Sequence, residues 1–219
     1  MISYCSSDRW EAQFACLADF IQRWYGITAD KANGNIGATD LPPVLSQLYN
    51  CYGNDLNKLF KINKIFRSDE LVSKEGQLDF FIENQGAYIW QTRTCDENPK
   101  VFISENVKPR QWLLEKEQLC GFLYQMLLFE AITSSIYHFM TTWVSDKKLD
   151  MIIEKWIVAP FKPMRWPAYP AQFYYTQNAL ALIFPNESGF TFQCGSNKLG
   201  ALEFMHEYVD NTWEDACIS

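Results

Sequence analysis

Histidine is almost missing from this chain. Two stand among 219 residues, His138 and His206, far apart in sequence. A three-His or Cys₂His₂ zinc centre therefore lacks its usual ligands and spacing. Glycine is sparse where phosphate chemistry needs it. Neither G-x-x-x-x-G-K-[ST] nor G-x-G-x-x-G occurs, so the common nucleotide loops are excluded. There is no G-x-S-x-G elbow for a serine nucleophile. Seven cysteines are scattered without a C-x-x-C pair, which speaks against a disulfide framework in a chain of this length. Positive charge is also short. Lys and Arg number 19 against 26 Asp and Glu, for a formal net charge of −7. A globule of that sign is not steered toward phosphate backbones or anionic lipid, and it can be steered toward a basic protein. No direct nucleic-acid or membrane partner is expected, and no cofactor.

What the chain does have is apolar and aromatic side chains, at 48% and 16% of residues. A packed globule follows, and disorder does not. The opening Met1 to Ser7 has neither a basic start nor an apolar run, so a secretory signal is not expected and reduced thiols in a cytoplasm are. Leu119 to Trp143 is long enough to span a bilayer. Its central Glu130 would cost at least ~2.5 kcal/mol there, and Gln125 and His138 also interrupt it. A buried core helix from about Glu115 to Trp143 is the expectation.

Periodicity supplies the remaining elements. Trp10, Phe14, Leu17, Ile21 and Trp24 recur at steps of four and three, one stripe of a helix at about 8–25. Asp8 is its expected cap, Glu11 the reciprocal partner and Gly26 its end. Gly34 and Gly37 mark a loop. Leu41-Pro42-Pro43 opens a second helix, with Val44, Leu45, Leu48 and Tyr52 apolar and Gly53 closing it. Leu78 to Thr92 reads as a β-hairpin. Leu78, Phe80 and Ile82 alternate with Asp79 and Phe81, Glu83-Asn84-Gln85-Gly86 turns, and Tyr88 and Trp90 share one face. A short strand is expected at Val101 to Ile103 and a short helix at Lys147 to Trp156. A proline-rich crossover, Pro160 to Pro170, should lie on the globule. Strands at Ala179 to Phe184 and Phe190 to Cys194 follow. A last helix from about Asn197 should turn Leu199, Leu202, Met205 and Val209 inward. The expected class is α+β, with a central, mainly antiparallel sheet packed by helices, in a single domain over 1–219.

Candidates for chemistry are few. Gly195-Ser196-Asn197-Lys198-Leu199-Gly200 follows a strand, and its amides can hold an anion or simply make a turn with Ser196 or Asn197 as cap. Glu83 ends a strand beside Tyr88 and Trp90, and Asp96 and Glu97 lie in a loop that can approach it. Converging carboxylates would permit acid–base work. The alternative is that Glu83 accepts backbone hydrogen bonds and fixes the turn. Tyr88 and Trp90 are either core residues or aromatic anchors of a contact surface.

The run Leu78-Asp79-Phe80-Phe81-Ile82-Glu83-Asn84-Gln85-Gly86-Ala87-Tyr88-Ile89-Trp90 resembles the signature hairpin of the SUKH superfamily. That group takes in yeast cell-wall-synthesis regulators and many bacterial immunity proteins. The acidic loop Asp96 to Pro99, the Leu41-Pro42 helix and the closing strands with Trp213 are similar in outline. The resemblance implies an α+β fold without catalytic residues or cofactor. It implies an immunity protein that binds a cognate toxin, such as a nuclease, and occludes its active site. The alternative is a regulatory or scaffolding module of the same fold. Glu83, Tyr88, Trp90, Asp96 and Glu97 are the candidate partner-binding residues.

Overall fold

The computed structural model describes residues 9–29, 41–210, 213 and 215–217, side chains of the last three apart. The expectation was one domain over 1–219. By its contacts the chain forms two compact units, Ser3–Tyr124 and Gln125–Ser219. The α+β class holds, and the described residues form two six-stranded antiparallel sheets where one central sheet was expected.

In the N-terminal unit, α1 (Trp10–Tyr25) buries Phe14, Leu17, Phe20 and Ile21 and ends at Gly26 in a left-handed conformation, φ 69°. Asp8 and the Gly34–Gly37 loop lie outside the described residues. Helix α2 (Pro43–Tyr52) places Pro43 in its first turn and buries Val44, Leu45, Leu48, Tyr49 and Tyr52. A 3-10 turn, Gly53–Asp55, leads into the single turn α3 (Leu56–Leu59). The sheet runs β1-β3-β4-β5-β6, with β2 on β3. Its strands are β1 (Lys64–Ile65), β2 (Ser73–Lys74), β3 (Gln77–Ile82), β4 (Tyr88–Arg93), β5 (Lys100–Glu105) and β6 (Leu113–Gln118).

The long helix expected from Glu115 to Trp143 is corrected. Helix α4 covers only Leu119–Thr133, with β6 before it and β7 (Tyr137–Val144) after it. Ser134 and Ser135 account for the stop. Their hydroxyls donate to the carbonyls of Glu130 and Ala131, each at 2.6 Å. Such local bonds give the backbone an exit from the helix. Beyond them Tyr-His-Phe-Met-Thr-Thr-Trp-Val is rich in aromatic and β-branched residues, which suit a strand. Residues 119–132 are all buried, which suits a helix with apolar residues on most of its faces. Among the described residues no helix is long and apolar enough to cross a membrane.

The C-terminal unit orders its sheet β12-β7-β11-β10-β9-β8. The strands are β8 (Ile157–Val158), β9 (Gln172–Tyr175), β10 (Leu180–Asn186), β11 (Gly189–Ser196) and β12 (Asp215–Cys217), and α5 (Asp146–Ile153) stands between β7 and β8. Phe139, Ile152, Trp156, Ala181, Phe192, Met205 and Trp213 share one core cluster. The crossover does lie on the unit. Phe161 and Met164 are buried, Trp166 is half-buried with its ring 4.6 Å from that of Phe129, and Tyr169 is exposed. The last expected helix is instead a 3-10 turn at Glu203–Glu207. Gly200, at φ 76°, breaks the run, so Leu199 points out and is 70% exposed, while Leu202 and Met205 are buried.

Gly195 sits where β11 meets the end of α4. A Cβ there would lie 2.7 Å from the Ile132 carbonyl oxygen and 2.5 Å from the Ser135 hydroxyl. Backbone cannot yield cheaply, so Gly195→Ala should destabilise by about 1–3 kcal/mol, read as a lower denaturant midpoint. A second prediction concerns alkali. Burial, with the neighbouring Cys51 adding to it, pushes the Tyr52 phenol from its ordinary 10 to about 12. Burial likewise raises Tyr49, aided by Glu70, and Tyr124, aided by Cys16 and Asp19. All three favour the neutral form when folded. Their contribution is therefore complete below pH 10 and is lost as pH climbs through the raised values. The denaturation midpoint should stay level to about pH 10 and then fall, with the share of tyrosinate absorbance that these three phenols contribute rising only as the fold opens.

Candidate functional site

The hairpin is where sequence and structure meet. Strands β3 and β4 pair in the register Leu78↔Thr92, Asp79↔Gln91, Phe81↔Trp90 and Ile82↔Ile89, with a bulge between Asp79 and Phe81. The simple alternation expected for β3 is corrected by that bulge. It turns both Phe80 and Phe81 inward, each fully buried. Phe81 meets Trp90 edge-on at 5.6 Å and Phe122 of α4 at 6.1 Å. The Trp90 indole N–H donates to Glu115 Oε1 on β6 at 3.2 Å. Trp90 is 0% exposed. It belongs to the core and is removed from the set of residues a partner can touch. Tyr88 is half-buried and stands opposite Glu105.

Glu83 fixes the turn. One carboxylate oxygen accepts the backbone N–H groups of Gln85 at 3.0 Å and Ala87 at 3.1 Å. The Gly86 N–H donates to the Glu83 carbonyl at 2.8 Å, and Gly86 takes φ 74°. Side chains from two other segments hold the turn in place. Asn63 accepts the Asn84 N–H at 3.3 Å, and Asn106 donates to the Gly86 carbonyl at 3.1 Å. Arg110 in turn donates to Asn106 and to Asp79, both at 2.8 Å. Gln91 donates to the other Asp79 oxygen at 3.1 Å. None of Asn63, Asn106 or Arg110 could be picked out from the sequence, because each acts across loops with no periodic pattern.

Asp96 and Glu97 are exposed, but they do not approach Glu83. Their loop joins β4 to β5 and lies at the end of β4 opposite the Glu83 turn. Six strand residues separate the two ends by roughly 20 Å. The converging carboxylate pair is therefore corrected: these groups do not share a site. The acidic loop is anchored instead. The Asn98 side-chain oxygen accepts the Cys120 N–H at 2.9 Å, and the Pro99 carbonyl accepts the Leu119 N–H at 2.9 Å. Both donors belong to the first turn of α4, whose amides have no partner within the helix.

A cleft of about 660 Å³ opens beside the Glu83 turn, within the same unit. Buried Leu56, Phe60 and Ile65 line it, together with Asn57, Lys61 and Asn84. Its size falls in the range of ligand sites. A smaller hollow of about 420 Å³ in the C-terminal unit borders Lys155, Asn178, Gly200 and Phe204. The neighbouring Ser196 hydroxyl donates to the Asn178 carbonyl at 2.7 Å and accepts the Lys198 N–H at 3.0 Å. The Asn197 side chain accepts the Ile136 N–H at 3.3 Å. This loop is a turn held by its own polar groups, with no helix behind it to direct a dipole at an anion. Among the described residues no three His, Cys, Asp or Glu side chains gather so as to hold a metal ion.

Glu83→Ala should leave two turn N–H groups without their acceptor. A loss of about 1–3 kcal/mol is expected, with faster hydrogen exchange at Gln85 and Ala87 as the local readout.

Compared with known proteins, the chain matches no family model, no curated protein and no solved structure.

Proposed function

We propose that this chain is a non-catalytic immunity protein that binds a cognate bacterial toxin, such as a nuclease, and covers its active site in the cytoplasm. The observation that carries this reading is the acidic loop. Asp96 and Glu97 are adjacent, exposed and mounted on a segment tied to the first turn of α4. A rigid anionic tip is suited to a basic cleft, because a pre-ordered loop loses little entropy on docking. Opposite charge also raises the encounter rate. The net charge of −7 favours the same class of partner.

In this reading the five residues singled out in the sequence have separate roles. Asp96 and Glu97 make contact. Tyr88 borders the contact face. Glu83 and Trp90 hold the hairpin in place and are not contact residues. The resemblance of Leu78 to Trp90 to the SUKH signature supports the toxin as partner. A regulatory module of the same fold would use the same surface on a cellular protein.

Co-expression with the protein encoded beside it should give a complex and relieve toxicity. The double reversal Asp96→Lys with Glu97→Lys should weaken that complex by about tenfold or more, mainly through a slower, less salt-dependent association. Stability should change little, since both side chains are exposed. No complex, or a complex indifferent to the reversal, would remove the toxin-binding role of this loop.

A further inference from the structure

We propose that the cleft beside the Glu83 turn docks an extended acidic peptide segment of a partner protein. This goes beyond the toxin reading, since it uses other residues, at the other end of β4, and the opposite charge.

The first observation is charge. Lys58, Lys61, Lys64 and Arg67 follow one another at steps of three in a chain of net −7. Lys61, Lys64 and Arg67 all line the cleft, and no Asp or Glu does. Cationic lining in a shaped hollow concentrates an anionic group even on an acidic molecule.

The second observation is the amide lining. Asn54, Asn57, Asn63 and Asn84 all border the cleft. Asn63 is buried and its oxygen already accepts the Asn84 N–H, but the exposed carboxamides of Asn54, Asn57 and Asn84 each carry both donors and an acceptor, and a peptide backbone has both in alternation. A phosphate or a lone carboxylate only accepts, so it would leave half of this capacity unmatched. Leu56, Phe60 and Ile65 add an apolar lining for side-chain carbon. Nucleic acid fits poorly, because its affinity grows with the number of phosphates neutralised, and the whole protein is anionic.

The third observation is that the chain supplies its own stand-ins. Glu70 Oε1 accepts from Lys64 Nζ at 2.8 Å, and Glu70 Oε2 accepts the Arg67 backbone N–H at 2.8 Å. Asp69 accepts from the Arg67 guanidinium at 3.0 Å. Neither acid lines the cleft. A partner's carboxylates would take over these cations from Asp69 and Glu70. Exposed pairs of this kind are weak enough to exchange.

The test uses the full chain and a fluorescein-labelled hexaglutamate peptide, followed by anisotropy at low salt. Saturable binding that weakens with salt is expected. Lys61→Glu with Lys64→Glu should weaken it about tenfold or more, and Asp69→Asn with Glu70→Gln should tighten it about two- to fivefold. Asn54→Ala with Asn57→Ala should weaken peptide binding without changing that of inorganic phosphate. All these side chains but Asn63 and the apolar lining are exposed, and far-UV circular dichroism verifies that each variant is folded. Absence of saturable binding, or binding that survives the lysine reversal, overturns the site. Inorganic phosphate or duplex DNA binding as tightly as the peptide overturns the occupant, as does indifference to the asparagine pair. The Asp96/Glu97 reversal should leave peptide binding intact, so failure here and failure of the toxin reading are told apart.

Discussion

The hairpin depends on burying Phe80 and Phe81 together. Adjacent residues in a regular strand face opposite ways, so both can point inward only if the strand is bulged. The bulge between Asp79 and Phe81 does this. It brings Phe81 against Trp90 and Phe122, and it leaves Asp79 on the outer face to receive Arg110 and Gln91. Each large aromatic side chain buried here stabilises by roughly 1.5–3 kcal/mol. The turn at Glu83 therefore sits on strands that are fixed at both faces. A buried carboxylate can spend its oxygen on two turn amides because its position is already set.

The polar groups of the N-terminal unit divide into those that hold and those that face outward. Glu83, Asn63, Asn98, Asn106 and Arg110 are joined to backbone or to one another. Asp96, Glu97, Asn54, Asn57 and Lys61 are exposed. This division matters more for function than residue type does. Glu83 and Glu97 are the same amino acid, yet one is an internal brace and the other a candidate contact. The two exposed groups also differ in sign and stand at opposite ends of β4, which permits them to address different chemistry.

Much of the local structure was legible in the sequence, and the failures have physical causes. Helices α1 and α2 follow from apolar spacing, with Gly26 at one end and Pro43 at the other. The hairpin turn follows from Asn-Gln-Gly between aromatic runs. The bulge was not legible, since it is fixed by the space around Phe122, from a segment distant in sequence. The sequence extends α4 too far because a mostly apolar run looks the same whether it is a buried helix or a buried strand; only Ser134 and Ser135 mark the change. The last helix failed at Gly200. Of the candidate site, the acidic loop and the Glu83 turn were visible as residues, but their separation by a whole strand was not. The asparagine-lined cleft draws on segments around 54–67 and on Asn84, and no spacing rule connects them.

Asn98 has a consequence for how this surface can change. Its side chain reaches the start of α4 from a different loop, and Pro99 adds a carbonyl beside it. The tip at Asp96 and Glu97 is thus free to vary while the base of the loop is held in place. Substitution at the tip should be tolerated, so new specificities would arise here by exchanging letters on a fixed base.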